Sequence, residues 1–62
     1  MGRVLHIEDN DDYRVIVHHR LQGFFIVESA VSMADGIAKS RVGNYDAILL
    51  DPGLPDSDND TA

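Results

Sequence analysis

The chain lacks cysteine and tryptophan, and it contains no long apolar run. Without cysteine it can form neither disulfides nor thiolate metal sites, the usual means of stabilising small domains, and this absence suits a reducing compartment. The longest apolar runs, at positions 24–27 and 47–50, have four residues each, which is too short to cross a membrane, and no signal-peptide core begins the chain. We expect a cytoplasmic protein without a membrane partner, whose fold depends on packing alone.

Basic residues are also scarce. Five Lys and Arg residues stand against eleven Asp and Glu residues, which gives a net charge of −6. This balance argues against direct binding to nucleic acid or to an anionic lipid surface and favours a cation or a basic partner. The acidic residues gather near the start and near the end of the chain: Glu8, Asp9, Asp11 and Asp12, and Asp51, Asp56, Asp58 and Asp60.

The hydrophobic pattern alternates between strand and helix. Apolar, β-rich runs at positions 4–7, 24–28 and 45–50 predict three strands. Positions 12–21 predict a helix that stops before Gly23, and Ser32-Met-Ala-Asp35 resembles a capping box that opens a second helix ending near Gly43. Residues 52–62 predict an acidic loop. The first helix carries four apolar residues at helical spacing, namely Tyr13, Ile16, Val17 and Leu21. We expect the aromatic residues Tyr13, Phe24 and Phe25 to lie in the core.

Strands and helices in this order predict the α/β class with βαβαβ topology, in one domain or part of one. Crossover connections of this kind are almost always right-handed and make the strands parallel. Glu8 and Asp9 directly follow the first strand, and Asp51 directly follows the third. Since ligands bind beyond the carboxyl ends of parallel strands, a strand order of 2-1-3 would bring these three carboxylates together.

Three crowded carboxylates predict either bound protons or a bound cation. Two like charges about 4 Å apart repel by roughly 4 kcal/mol at an effective dielectric constant of 20. Oxygen ligands favour Mg²⁺, or Ca²⁺ in a larger cage. The loop after the first strand has no glycine, so it is not a glycine-rich phosphate cradle. With Mg²⁺ neutralising the pocket, a phosphoryl group could approach Asp51, whose carboxylate could act as a nucleophile.

Three segments resemble the first half of the receiver domain of two-component response regulators: Val-Leu-His-Ile-Glu-Asp-Asn at 4–10, Tyr-Asp-Ala-Ile-Leu-Leu-Asp at 45–51 and Gly-Leu-Pro-Asp at 53–56. The resemblance implies a flavodoxin-like fold and a regulatory phosphoacceptor rather than an enzyme. It implies that Glu8, Asp9, Asp51 and the backbone carbonyl of Gly53 hold Mg²⁺. It also implies that Asp51 accepts phosphate from a sensor histidine kinase or a phosphotransfer protein.

Receivers also use a Thr or Ser after a fourth strand and a Lys after a fifth, and neither is present in this chain. We therefore expect residues 1–62 to be a truncated receiver domain. An alternative is a receiver-derived fragment that transfers no phosphoryl group and acts in dimerisation or partner binding. Pro52 and Asn59 also depart from the family pattern.

Simpler interpretations exist for several of these residues. Asp51 could merely begin the type II turn that Pro52 and Gly53 favour. Asp11 and Asp12 are interpreted as charges at a helix N-terminus without a chemical role. Residues 56–60 repeat the first half of an EF-hand loop but lack its glycine and terminal glutamate, so calcium binding is not expected there.

The third strand is apolar and has no predicted neighbour on its far side. An unpaired apolar edge is a template for association with another strand. We therefore expect self-association, most simply as a two-fold dimer that pairs third strands or swaps elements, or else an unstable chain.

Overall fold

A computed structural model describes residues 1–51, in which strands and helices alternate. The elements are β1 (Gly2–Ile7), α1 (Asp11–Leu21), β2 (Phe25–Ala30), α2 (Met33–Val42) and β3 (Ala47–Leu50). The strands form one parallel sheet in the order β2-β1-β3. This arrangement confirms the predicted α/β class, the βαβαβ topology and the 2-1-3 order. The predictions for residues 52–62, including the role of Gly53, lie outside the described residues.

The two helices cover opposite faces of the sheet. On one face Leu5, Ile7 and Ala30 form the buried core, and Met33 of α2 packs against them. Gly36 allows α2 to approach closely, because a Cβ atom at this position would lie 2.7 Å from Cγ1 of Ile7. The other face is covered by α1. The first crossover runs from β1 to β2, and the second runs from β2 back past β1 to β3. Two right-handed crossovers that run in opposite directions place their helices on opposite faces of the sheet.

Side chains cap the start of both helices; the sequence predicts the cap at Ser32 but not the one at Asn10. The Oδ1 atom of Asn10 accepts a hydrogen bond of 3.0 Å from the backbone N–H of Tyr13. The hydroxyl of Ser32 accepts one of 3.1 Å from the N–H of Asp35, whose carboxylate in turn accepts one of 3.3 Å from Val31. No glycine within residues 1–51 has a positive φ angle, so α1 ends without a left-handed cap. Neither helix in this range is long and apolar enough to cross a membrane.

The predicted burial of α1 is wrong. No residue of this helix is buried, and Tyr13 and Ile16 are 60% and 48% exposed. The reason is the width of the sheet, since among residues 1–51 α1 packs mainly against β2 and no further element lies beside it. The aromatic residues Phe24 and Phe25, at the start of β2, are exposed as well. Helical periodicity identified a shared face but not whether another element covers it.

A polar network joins β1, β2 and the segment before β3. The hydroxyl of Tyr45 donates a 2.7 Å hydrogen bond to Glu28, which also pairs with the guanidinium of Arg3. The same guanidinium lies 5.2 Å from the centroid of the Tyr45 ring. The hydrogen bond from Tyr45 and then that from Arg3 lower the pKa of Glu28 below its ordinary value. The network therefore favours the ionised form of Glu28.

Candidate metal centre

The register of the sheet brings together three carboxylates that are distant in sequence. Ile7 pairs with Leu50, so the next residues on the two strands, Glu8 and Asp51, emerge side by side. One carboxylate oxygen from each of Glu8, Asp9 and Asp51 lies within 4.8 Å of the other two. The structure therefore confirms the predicted convergence of these side chains at the carboxyl edge of the sheet.

Three hydrogen bonds hold Glu8, two with backbone groups and one with a side chain. Its N–H donates a 2.9 Å hydrogen bond to the carbonyl of Ala30, which extends the pairing of β1 with β2. Its carboxylate accepts a 3.2 Å hydrogen bond from the N–H of Asn10, and its carbonyl accepts one of 2.9 Å from Nη1 of Arg14. Glu8 is only 7% exposed. Its carboxylate is therefore oriented before any ligand arrives.

Arg14 is a residue of the site that the sequence interpretation missed. Its Nη1 atom donates to the Glu8 carbonyl, and its Nη2 atom pairs with the carboxylate of Asp11. Asp11, interpreted from the sequence only as a helix N-terminal charge, thus also holds this guanidinium. The available signal was the three-residue spacing of Asp11 and Arg14, which places both side chains on one side of α1.

The electrostatics of the cluster penalise its negative charge. Burial raises the pKa of Glu8, and Asp51 and Asp9 raise it further, while the hydrogen bond from Asn10 opposes these effects. Burial and a neighbouring carboxylate both favour the protonated form of a carboxyl group, and a bound cation favours its ionised form. The cluster is therefore an environment in which a cation relieves an existing electrostatic cost.

His6 lies on the central strand β1, two residues before Glu8, and is buried. Burial lowers its pKa, the charge of Arg14 acts in the same direction, and Asp51 opposes them. Its Nδ1 atom is buried, and no hydrogen-bond partner for it exists among the described residues. The environment therefore favours neutral imidazole.

An open cleft of about 450 Å³ lies above the three carboxylates. Asn10 and Tyr13 complete its lining. A water molecule occupies about 30 Å³ in the liquid, so the cleft has room for a hydrated ion together with a group of phosphoryl size. The cluster is thus accessible from solvent although Glu8 itself is buried.

The donor set fits a hard divalent cation. Oxygens bound to one Mg²⁺ lie at most about 4.2 Å apart, twice the usual bond length, and those bound to one Ca²⁺ about 5 Å apart. The spacing of the carboxylate oxygens, up to 4.8 Å, lies within the limit for Ca²⁺ and slightly above the limit for Mg²⁺, so Mg²⁺ would draw the oxygens slightly closer together. Within residues 1–51 no nitrogen or sulfur ligand joins the cluster, which disfavours zinc and copper.

No protein-family model, curated protein or solved structure matches this chain. The functional inference therefore depends on the geometry and chemistry of the cluster.

Proposed function

We propose that this chain is a receiver-type phosphoacceptor in a two-component phosphorelay. Glu8, Asp9 and Asp51 would hold Mg²⁺, and Asp51 would accept a phosphoryl group from the phosphohistidine of a sensor kinase or phosphotransfer protein. The observation that carries the proposal is the convergence of three carboxylate oxygens within 4.8 Å at the carboxyl edge between β1 and β3. Such a protein would act in the cytoplasm, as a regulator rather than as an enzyme.

Each residue of the cluster has a distinct task in this proposal. Glu8, held by the backbone of Ala30 and Asn10, keeps its carboxylate fixed, while the more exposed Asp9 completes the cation site. A divalent ion held here supplies charge neutralisation, which lowers the repulsion that an incoming phosphoryl group meets. A carboxylate oxygen of Asp51 attacks the phosphorus as its bond to the donor nitrogen breaks. The released imidazole takes up a proton, and Asp51 becomes an acyl phosphate.

The test is phosphorylation of the 62-residue chain by phosphoramidate with and without Mg²⁺, followed by intact-protein mass spectrometry. We expect the mass gain of a single phosphoryl group, dependent on Mg²⁺ and lost at alkaline pH. Asp51→Asn should abolish the gain. The matched control is Asp12→Asn, which removes the same charge from outside the cluster and should retain the gain. A folded wild-type chain that stays unlabelled would contradict the proposal.

A second candidate function, self-association without phosphoryl transfer, is favoured by the edges of the sheet. The N–H of Asp51 donates to the carbonyl of Ile7. Because successive residues of a strand alternate in direction, the N–H and C=O groups of Ile48 and Leu50 point away from β1. Among residues 1–51 no strand pairs with this outer edge, and β3 contains no charged residue or proline that would protect it.

The outer edge of β2, unlike that of β3, is protected by charged side chains. The Nζ atom of Lys39 donates a 2.6 Å hydrogen bond to the backbone carbonyl of Ser29. This carbonyl faces the outer edge of the sheet, because successive carbonyls of a strand point to opposite sides and the carbonyl of Ala30 accepts a hydrogen bond from Glu8 on the inner side. Glu28 adds a charge to the same strand. Lysine and other charges are the usual means of blocking association at a sheet edge. The asymmetry favours β3 as the interface.

Two matched substitutions test this second candidate. Ile48 on β3 and Ile26 on β2 are 50% and 49% exposed, so replacing either with lysine removes a similar apolar surface. If β3 pairs with a second copy, sedimentation velocity should show concentration-dependent dimers for wild type and for Ile26→Lys, but monomers for Ile48→Lys. A wild-type chain that remains monomeric at all accessible concentrations would exclude this function.

A further inference from the structure

We propose that Arg14 is a positioning residue of the cation site, which fixes the Glu8 carboxylate by binding the Glu8 carbonyl. The inference rests on the proposed function, because it concerns the same three carboxylates. It adds a residue on a different element, α1, to a site built from the ends of β1 and β3. Its consequence is that cation affinity depends on a hydrogen bond that touches no ligand atom.

The hydrogen bonds of Arg14 reach the backbone beside the cluster and avoid the cluster itself. Among the described residues, Nη1 binds the Glu8 carbonyl at 2.9 Å and Nη2 binds Asp11. β1 ends at Ile7, so the Glu8 carbonyl lies beyond the strand and takes its hydrogen bond from a side chain. This carbonyl is partly buried, so leaving it without a partner is costly, and the segment would rotate to expose it.

That rotation would move the Glu8 carboxylate. The Glu8 peptide is held on its amino side by Ala30 and on its carbonyl side by Arg14. Loss of the second restraint frees the peptide between Glu8 and Asp9, and therefore the direction in which both carboxylates leave the backbone. The side chain of Arg14 is only 19% exposed, so it loses little further freedom in holding this position.

Whether removal of Arg14 lowers or raises the cation affinity distinguishes a positioning role from a purely electrostatic one. Arg14 is a cation, and removing a cation near a cation site should leave divalent-ion affinity unchanged or raise it. Removing a residue that orients the ligands should lower the affinity, as substitution of outer-shell partners at metal sites does, typically by 10-fold or more.

The experiment compares Arg14→Met, Arg14→Lys and Arg20→Met with the wild-type chain. Arg14→Met removes both charge and hydrogen bonds, whereas Arg14→Lys keeps the charge but lacks the planar two-pronged donor. Arg20→Met removes the same charge from the exposed last turn of α1 and is the matched control. Isothermal titration with Mg²⁺ gives the Kd, and Tb³⁺ luminescence lifetimes in H₂O and D₂O count the waters on the bound ion. Circular dichroism at the titration temperature verifies that each variant is folded.

We expect both Arg14 variants to weaken Mg²⁺ binding by about 10-fold and to add about one water to bound Tb³⁺, as one carboxylate leaves the ion. Arg20→Met should change the Kd by less than about twofold, because an exposed distant charge is screened. If Arg14→Met is unfolded, Arg14→Lys alone decides the result. Unchanged or tighter binding by a folded Arg14 variant would overturn the positioning role while leaving the proposed function intact. Failure of the wild type to bind either ion would overturn both.

Discussion

Substitution of Asp51 by asparagine should stabilise the metal-free protein, although it removes the proposed phosphoacceptor. The oxygens of Asp51 and Glu8 approach within 4.8 Å. At this separation two full charges repel by about 3.5 kcal/mol at an effective dielectric constant of 20. Asparagine has no charge, and its amide can donate a hydrogen bond to the Glu8 carboxylate. The substitution therefore replaces a repulsion with an attraction.

The measured gain should be smaller than the Coulomb value. The raised pKa of Glu8 favours its protonated form, which weakens the repulsion, and Asp51 is only half-buried. We expect Asp51→Asn to raise the free energy of unfolding by about 1 kcal/mol, and the Tm by roughly 4–8 °C for a domain of this size. Thermal and urea denaturation in EDTA, at pH 7 and low salt, measure both quantities.

A control and a reversal by Mg²⁺ make this prediction specific. Asp12→Asn also removes one negative charge but leaves the cluster unchanged, and it weakens the favourable charge at the start of α1, so it should be neutral or slightly destabilising. Mg²⁺ at 100 times its Kd should stabilise the wild type by about 2.7 kcal/mol and should stabilise Asp51→Asn much less. A metal-free Asp51→Asn protein no more stable than wild type would refute the electrostatic reasoning.

Two further predictions concern the packing and the polar network. Gly36→Ala should destabilise the fold by about 1–2 kcal/mol in urea denaturation, because overpacking against Ile7 outweighs the better helix propensity of alanine. Adding Ile7→Val should recover part of this loss. A Gly36→Ala variant as stable as wild type would contradict the close contact between Gly36 and Ile7. Tyr45→Phe should lower the Tm at pH 7 because it removes the hydrogen bond that most strongly lowers the pKa of Glu28. A lowered carboxyl pKa stabilises the fold at pH values above the pKa of the unfolded state, and this stabilisation is lost as the pH falls through the folded-state pKa. The Tm difference between Tyr45→Phe and wild type should therefore shrink on acidification. A difference that stays constant with pH would show that it does not come from the ionisation of Glu28.

Given the strand order 2-1-3, the sequence was sufficient to predict the carboxylate cluster, because the cluster follows from where strands end. Glu8 and Asp51 each come directly after an apolar run, and parallel neighbours present such positions at one edge. The exposure of Tyr13 was not predictable, because periodicity reveals which residues of α1 share a face but not what lies against that face. The role of Arg14 was not predictable either, because it depends on the direction in which a long side chain folds back toward a loop.

The pairing pattern of β1 explains why the fold and the candidate site cannot vary independently. Glu8 donates its N–H to β2 at Ala30, whereas Ile7 receives the N–H of Asp51 from β3, so neighbouring residues of one strand fix the two sides of the site. A slip of β3 by one residue would turn every side chain of that strand to the other face and would carry the Asp51 carboxylate away from Glu8. The apolar residues of β3 are exposed on both faces, so they specify its register only weakly, and the hydrogen bond from Asp51 to Ile7 is one of the contacts that fix it. We infer that ion binding across β1 and β3 would also select the register of β3, which couples occupancy of the site to the integrity of the sheet.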